Sequence, residues 1–370
     1  MYADYNEKLA KLIAQYAVNV QPNDLVMIQA PINAENLVRE VYREVIQAGG
    51  HILRMKLSFD SQDEMMYKLA TDEQLTYVDD LEVEYWKKAD VLIAIHSDYN
   101  TRALTNVPAE KKVMVRQARE EITKIYLERA AKKELRWNLS PYPCDAFSQE
   151  ANMGRLEYLE FVYKALNLHQ SDSIEFWKRI EANQEDIVNI LDKGKEFRII
   201  GEDTDLTLAI ENRKWKNCCG HENLPDGEVF TGPHEDGVNG NIRFTYPGIY
   251  EGQEVEDIFL SFKEGKVVDF DAAKGKDLLK KMLTIPNANI LGELAVGTNF
   301  GITKFTKNML FDEKMGGTIH LALGSGYPET GSKNQSSIHW DILKDMKGSE
   351  AKILLDSEVI YQAGKWLIPK

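Results

Sequence analysis

"LVMIQAPINAENLVREVYREVIQAGGHILRMKL", residues 25–57, decides the fold of the first half of the chain. Its two apolar ends, 25–30 and 51–57, read as short strands, and the segment between them, 34–48, reads as a helix that stops at the Gly49-Gly50 turn. Strand, helix, Gly turn and strand in that order make a βαβ unit. The same alternation surrounds it: a helix over 4–17, helices between 62 and 88, and a strand "DVLIAIHS" at 90–97. Together they predict an α/β first domain, residues 1–194, with a mostly parallel, doubly wound sheet. A long helical stretch over 147–193, rich in Leu, Glu and Lys, leads out of it.

Beyond residue 195 the texture changes. Short strand patterns, "FRIIG", "DLTLAIE", "GEVFTG", "NIRFTYP", "EDIFLSF", "KVVDFDA", "TIHLALG" and "SSIHWDIL", are separated by Gly, Asn, Asp and Pro. Hairpin turns of that kind predict a second domain, 195–370, of α+β class with a largely antiparallel sheet and one helix near 274–284.

Bulk properties narrow the function. The chain has 370 residues, 43% of them hydrophobic, enough for two cores. Its longest apolar runs fall far short of the ~20 residues that cross a bilayer, and the N-terminal stretch reads as an amphipathic helix, not a signal peptide. With 59 acidic and 45 basic residues the net charge is −14, which disfavours nucleic acid and anionic membranes as partners. Three cysteines, Cys144, Cys218 and Cys219, form neither a disulfide framework nor a CxxC zinc motif, which fits a cytoplasmic protein.

The chemistry concentrates in the second domain. In "SSIHWDIL", 336–343, His339 and Asp341 stand two apart on one strand face while Ile338, Trp340 and Ile342 take the other. A ring nitrogen beside a carboxylate suits a metal ion, although a solvated pair reads the same way. Of the remaining histidines, His51, His96, His169, His221 and His234 fall at strand ends, after a helix or in turns, where structural roles are expected. His320, in "GTIHLALGSGYP", lies on the preceding strand and is expected opposite His339.

Carboxylates inside strands are the second signal, because a buried carboxylate without a partner is costly. Glu293 is the one charge in "ILGELAVG", and Glu228 opens a strand after the Asp226-Gly227 turn, where acids are common for other reasons. Three carboxylates and a hydroxide would balance two divalent cations, with Glu293 or Asp341 as the bridge. Mixed His and carboxylate ligation suits Zn, Co or Mn, and a pair of ions activates water and polarises a carbonyl. No G-x-S-x-G elbow is present, and in "GSGYPE" Glu329 stands where a dinucleotide motif needs its third glycine, so no organic cofactor is expected.

In this order, "SQEANM" (148–153), "DTDLTLAIENRKW" (203–215), "PDGEVFTGP", "VNGNIRFTYP", "LGELAVG", "GTIHLALGSGYP" and "SIHWDI" resemble the aminopeptidase T and aminopeptidase S family of two-metal exopeptidases, over essentially the whole chain. The resemblance implies that Glu228, Glu293, His320, His339 and Asp341 are the metal ligands, Glu228 resting on it most heavily. It also implies that Tyr327 is the catalytic tyrosine, that peptides with a free N-terminus are the substrates, and that the protein is a homodimer. The loop between His320 and His339 looks shorter than in the best-known members, and Trp340 stands where a smaller residue is common, which bears on side-chain preference. The other readings are a two-metal hydrolase of another amide or ester, such as a phosphoesterase, which the few basic residues near the ligand strands disfavour, and a metal-binding protein without turnover.

Overall fold

The computed structural model describes residues 4–250 and 252–367. The chain divides into two compact units, one running to Phe176 and including Gly220–Pro225, the other formed by Trp177–Cys219 and from Asp226 onward.

The first unit is built on a four-stranded, all-parallel sheet in the order His51–Ser58, Leu25–Pro31, Val91–His96, Arg136–Pro141. The order reverses direction at Leu25–Pro31, as in doubly wound sheets. Val26, Met27, Ile28, Val91, Ile93 and Ile95 are buried, because strands covered on both faces favour near-continuous apolar runs. The helix Glu35–Gln47 covers the sheet with Leu37, Val38, Val41 and Val45 at its helical spacing. The predicted opening helix is α-helical over Tyr5–Leu12 and continues as a π-turn to Ala17.

Three features differ from the sequence reading. The helical stretch 147–193 is three helices, Asp145–Glu150, Arg155–Ala165 and Ser173–Leu191. Asn152 and Asn167, at φ of 52° and 56°, interrupt it in a left-handed conformation that asparagine tolerates better than most residues. The helices Ala109–Ala118 and Glu120–Ala131 bury only Ile122 between them, so they carry almost no amphipathic signal. The strand Arg136–Pro141 follows them unannounced.

The second unit contains two antiparallel sheets and a small hairpin, Gly248–Tyr250 with Gln253–Val255. An eight-stranded sheet includes Glu196–Gly201, Thr204–Ala209, Val238–Arg243 and Phe259–Lys263, and ends in three short strands between Lys352 and Trp366. A five-stranded sheet runs in the order His339–Asp345, Thr318–Gly324, Leu291–Gly297, Glu228–Thr231, Lys216–Cys218. Leu206, Leu208, Ile242 and Leu260 of the larger sheet share one core with Val229, Leu294, Val296, Ile319, Leu321 and Ile342 of the smaller. Each such side chain contributes about 1.5–3 kcal/mol on burial. The predicted helix is present as Lys276–Leu283. Among the described residues no helix is long and apolar enough to cross a membrane.

Candidate metal centre

Alternation on the five-stranded sheet creates the site. Val229, Leu294, Val296, Leu321, Trp340 and Ile342 point into the core, so Glu228, Glu293, His320, His339 and Asp341 must share the opposite face. The register then sets them in rows: Asp341 pairs with Ala322, which pairs with Glu293; His320 pairs with Ala295; Glu228 pairs with Gly297; and His339 pairs with Gly324. Every ligand candidate therefore has Ala or Gly as its lateral neighbour on one adjoining strand, which leaves room above the sheet on that side. Larger residues are also barred sterically. A Cβ on Gly297 would collide with the Met315 carbonyl, and one on Gly324 (φ 103°) with that of Ile338.

The register corrects one expectation: His320 lies opposite Leu343 and not opposite His339. The two rings are joined through carboxylates instead. Glu293 directs Oε1 to His320 Nε2 at 3.4 Å and Oε2 to His339 Nε2 at 3.1 Å. Asp341 Oδ1 lies 3.3 Å from His339 Nε2 and 3.9 Å from His320 Nε2, and Glu228 Oε2 lies 3.5 Å from His320 Nε2. Two triads result, Glu228–Glu293–His320 and Glu293–His339–Asp341, each with ligand atoms within 4.8 Å of one another and with Glu293 common to both. The structure thus brings all five predicted ligands together.

Several atoms here are short of partners in a way that suits a cation. Glu228 Oε2 and Asp341 Oδ1 are buried acceptors without a hydrogen-bond donor, and His320 Nδ1 is likewise unpaired. His339 is oriented differently, since its Nδ1 sits 2.7 Å from the Ser325 carbonyl, a contact that requires an N–H there and leaves Nε2 as the lone-pair nitrogen of the neutral ring. Burial works against charge on both rings, but Glu293, Asp341 and, for His320, Glu228 outweigh it, raising His320 to about 9 and His339 to about 11. Burial likewise opposes charge on Glu293, yet the hydrogen bonds and charges of the two imidazoles hold it well below the usual carboxylate range. An anionic, acceptor-rich pocket that draws protons onto its histidines is one that divalent ions would occupy in their place.

The sequence reading missed Lys314. Its side chain is 3% exposed and its ammonium bonds Glu228 Oε1, with Glu313 Oε1 at 2.8 Å and Asp226 Oδ1 at 3.8 Å. Burial pushes the Glu228 carboxyl up, while Lys314 and then His320 oppose that push. Lys314 and Glu313 lie between the short helix Met309–Asp312 and the Thr318–Gly324 strand, where no periodicity marks a functional side chain. Cys218 pairs with Glu228 on the next strand, and burial together with Asp226 and Glu228 keeps its thiol protonated.

Tyr327 is 40% exposed, at the rim. Its ring meets His339 edge-on at 5.3 Å and Phe230 at 5.2 Å. Burial of the phenol and the charges of Glu293 and Asp341 raise its pKa, so it remains a hydrogen-bond donor. Of the other histidines, His96 packs on Phe147, His221 stacks on Tyr16 with Nδ1 at the Ala17 carbonyl, and His234 Nε2 contacts the Glu211 carbonyl.

A family model described as "Thermophilic metalloprotease (M29)" matches residues 3–366. Among curated relatives, Aminopeptidase 2 of Geobacillus stearothermophilus is 26% identical over 97% of both chains. Aminopeptidase AmpS of Bacillus subtilis (strain 168) is 26% identical over 98% of this chain and 99% of its own. Aminopeptidase T of Thermus thermophilus is 26% identical over 97% and 95%. The solved structure of wild-type AmpT from Thermus thermophilus is 23% identical, covers the whole of both chains and superposes with a TM-score of 0.85, which establishes the shared fold.

Proposed function

This chain belongs to the thermophilic metalloprotease (M29) family, and from that premise we propose that it is a metallo-aminopeptidase whose centre is dinuclear and is held by Glu228, Glu293, His320, His339 and Asp341. The observation that carries the reading is Glu293. One carboxylate offers its two oxygens to two different histidines, each backed by a further carboxylate, and that is the pattern a bridging ligand requires.

Two divalent ions, Zn, Co or Mn by the hardness of these donors, supply a water acidified enough to attack and a Lewis acid for the scissile carbonyl. The chain's own groups do the rest. Glu293 stays ionised at neutral pH and bridges the two triads. Lys314 holds one oxygen of Glu228 and leaves the other facing His320. The Ser325 carbonyl keeps the His339 ring turned with Nε2 inward. Tyr327, a phenol at the rim, donates to the oxyanion as the carbonyl becomes tetrahedral. Substrates are peptides with a free N-terminus, cleaved at their first bond. A cytoplasmic homodimer in which residues from about 195 onward carry the catalytic apparatus completes the reading.

Assaying an aminoacyl anilide with and without a chelator tests this directly. We expect activity that disappears with chelation and returns with divalent metal, and about two ions per chain by elemental analysis. An N-acetylated peptide should resist. Full activity in metal-free protein, or efficient cleavage of a blocked substrate, would overturn it.

A further inference from the structure

The second unit contains a cavity that the metal centre does not use. Its volume, about 460 Å³, falls within the roughly 300–1,000 Å³ of small-molecule sites. Lys344 lines it from the strand His339–Asp345. Alternation sets Lys344 with Trp340 and Ile342, on the face away from His339 and Asp341. The residue is 4% exposed, and its ammonium donates to the backbone carbonyls of Arg243 at 2.8 Å and Glu202 at 3.1 Å. Those bonds leave one of its three N–H groups for a further acceptor. Among the described residues no carboxylate lies within ion-pairing distance of it, and burial holds its pKa below the ordinary lysine value. Gly201 makes the room for this side chain, since a Cβ there would lie 3.3 Å from Lys344 Cε.

The other charges on the cavity wall are matched, with one exception. Arg243 is bound by both oxygens of Asp257, and Asp203 stands 3.8 Å from it. Glu256 accepts from Lys274 at 2.6 Å. Glu202 is exposed, and among the described residues its carboxylate has neither a hydrogen-bond nor an ion-pair partner. One buried ammonium and one open carboxylate therefore remain on the same wall. A lysine that only tied the two sheets together would need no open volume beside it, and a buried cation without a counter-ion is costly. A molecule that answers both charges carries a carboxylate and an ammonium. We infer that this cavity binds a free α-amino acid, its carboxylate on Lys344 and its ammonium on Glu202. Phe244 and Pro247 supply apolar wall for the side chain. Amino acids of this kind are what an aminopeptidase releases, so the source of the ligand, though not the site, rests on the reading above.

Calorimetry tests this on the full chain, metal-loaded and after chelation, with alanine, leucine and lysine as probes and their three amides as controls lacking the carboxylate. Leucyl p-nitroanilide reads turnover, and elemental analysis and melting accompany each variant. We expect one-to-one binding of at least one amino acid that survives chelation, with its amide about 10- to 100-fold weaker. Glu202→Gln, a change at an exposed residue, should weaken binding by a similar factor, and Lys344→Met should abolish it, with metal content and kcat unchanged in both. Binding by none of the three, binding that vanishes on chelation, amides that bind equally, or affinity unchanged in Glu202→Gln would each overturn the site. Binding as expected in a protein that cleaves no anilide would keep the site and remove the aminopeptidase reading; turnover without such binding would remove the site alone.

Discussion

The two sheets of the second unit are both antiparallel and both turn one apolar face into the same core, yet their other faces have opposite chemistry. On the eight-stranded sheet the outward charges are solvated pairs, Arg198 with Asp205 and Arg243 with Asp257. On the five-stranded sheet Glu228, Glu293 and His320 are buried, and His339 and Asp341 are at most partly exposed. Both faces obey the same alternation. The difference is water: exposed pairs are screened and contribute little, whereas buried ones must be matched by cations or hydrogen bonds.

The sharpest way to break this contrast is at Glu293. Glu293→Ala should abolish activity and remove both ions, because the residue belongs to both triads; retention of two ions would refute its bridging role. Next is Tyr327→Phe, for which we expect kcat to fall about 10²- to 10³-fold with metal content and KM nearly unchanged, the signature of an interaction made only in the transition state. Near-normal kcat would reduce Tyr327 to packing on Phe230 and His339.

Lys314→Met probes the same face through stability. Leaving Glu228 and Glu313 without their ammonium should destabilise the metal-free protein by about 3–5 kcal/mol, a loss that added metal largely offsets. Denaturant melts of both forms measure it.

Asp312 supplies a smaller effect with a defined sign. It is fully buried and accepts bonds from Thr306 N and Oγ1, but its Oδ2 has no partner. Burial raises it to about 7 against those bonds. A carboxyl raised on folding binds protons more tightly in the native state, so stability should fall as pH rises from about 4 to about 7 and then level off. In Asp312→Asn that part of the slope should vanish; an unchanged melting profile would show that Asp312 is ionised throughout. Least of all, Arg198→Ala on the solvated sheet should leave activity and metal content at wild-type values, and a measurable loss of either would undo the contrast between the faces.

Much of the site was legible because strands leave a period of two. The spacing of His339 and Asp341, and a lone Glu293 in an apolar run, were enough to select them. Glu228 needed the resemblance, since an acid after an Asp-Gly turn is ordinary. Lys314 and Glu313 had no such signal, because a loop side chain acquires its neighbours only when distant strands close around it. For the fold, the helices Ala109–Ala118 and Glu120–Ala131 were invisible for want of an apolar stripe. The strands Lys352–Leu355 and Glu358–Gln362 escaped notice because Asp356 and Ser357 make their hairpin with φ of 49° and 76°, without the glycine that usually announces such a turn.

One turn performs two tasks. Ser325 holds the His339 ring through its carbonyl, and two residues later Tyr327 rests its own ring on that imidazole. Imidazole and phenol are therefore parts of a single mechanical unit, and a change to either is felt by the other. Effects measured at His339 and Tyr327 should be strongly non-additive, the double variant costing much less than the product of the singles. An attempt to alter the metal preference of the proposed centre through His339 should therefore also move the Tyr327 phenol.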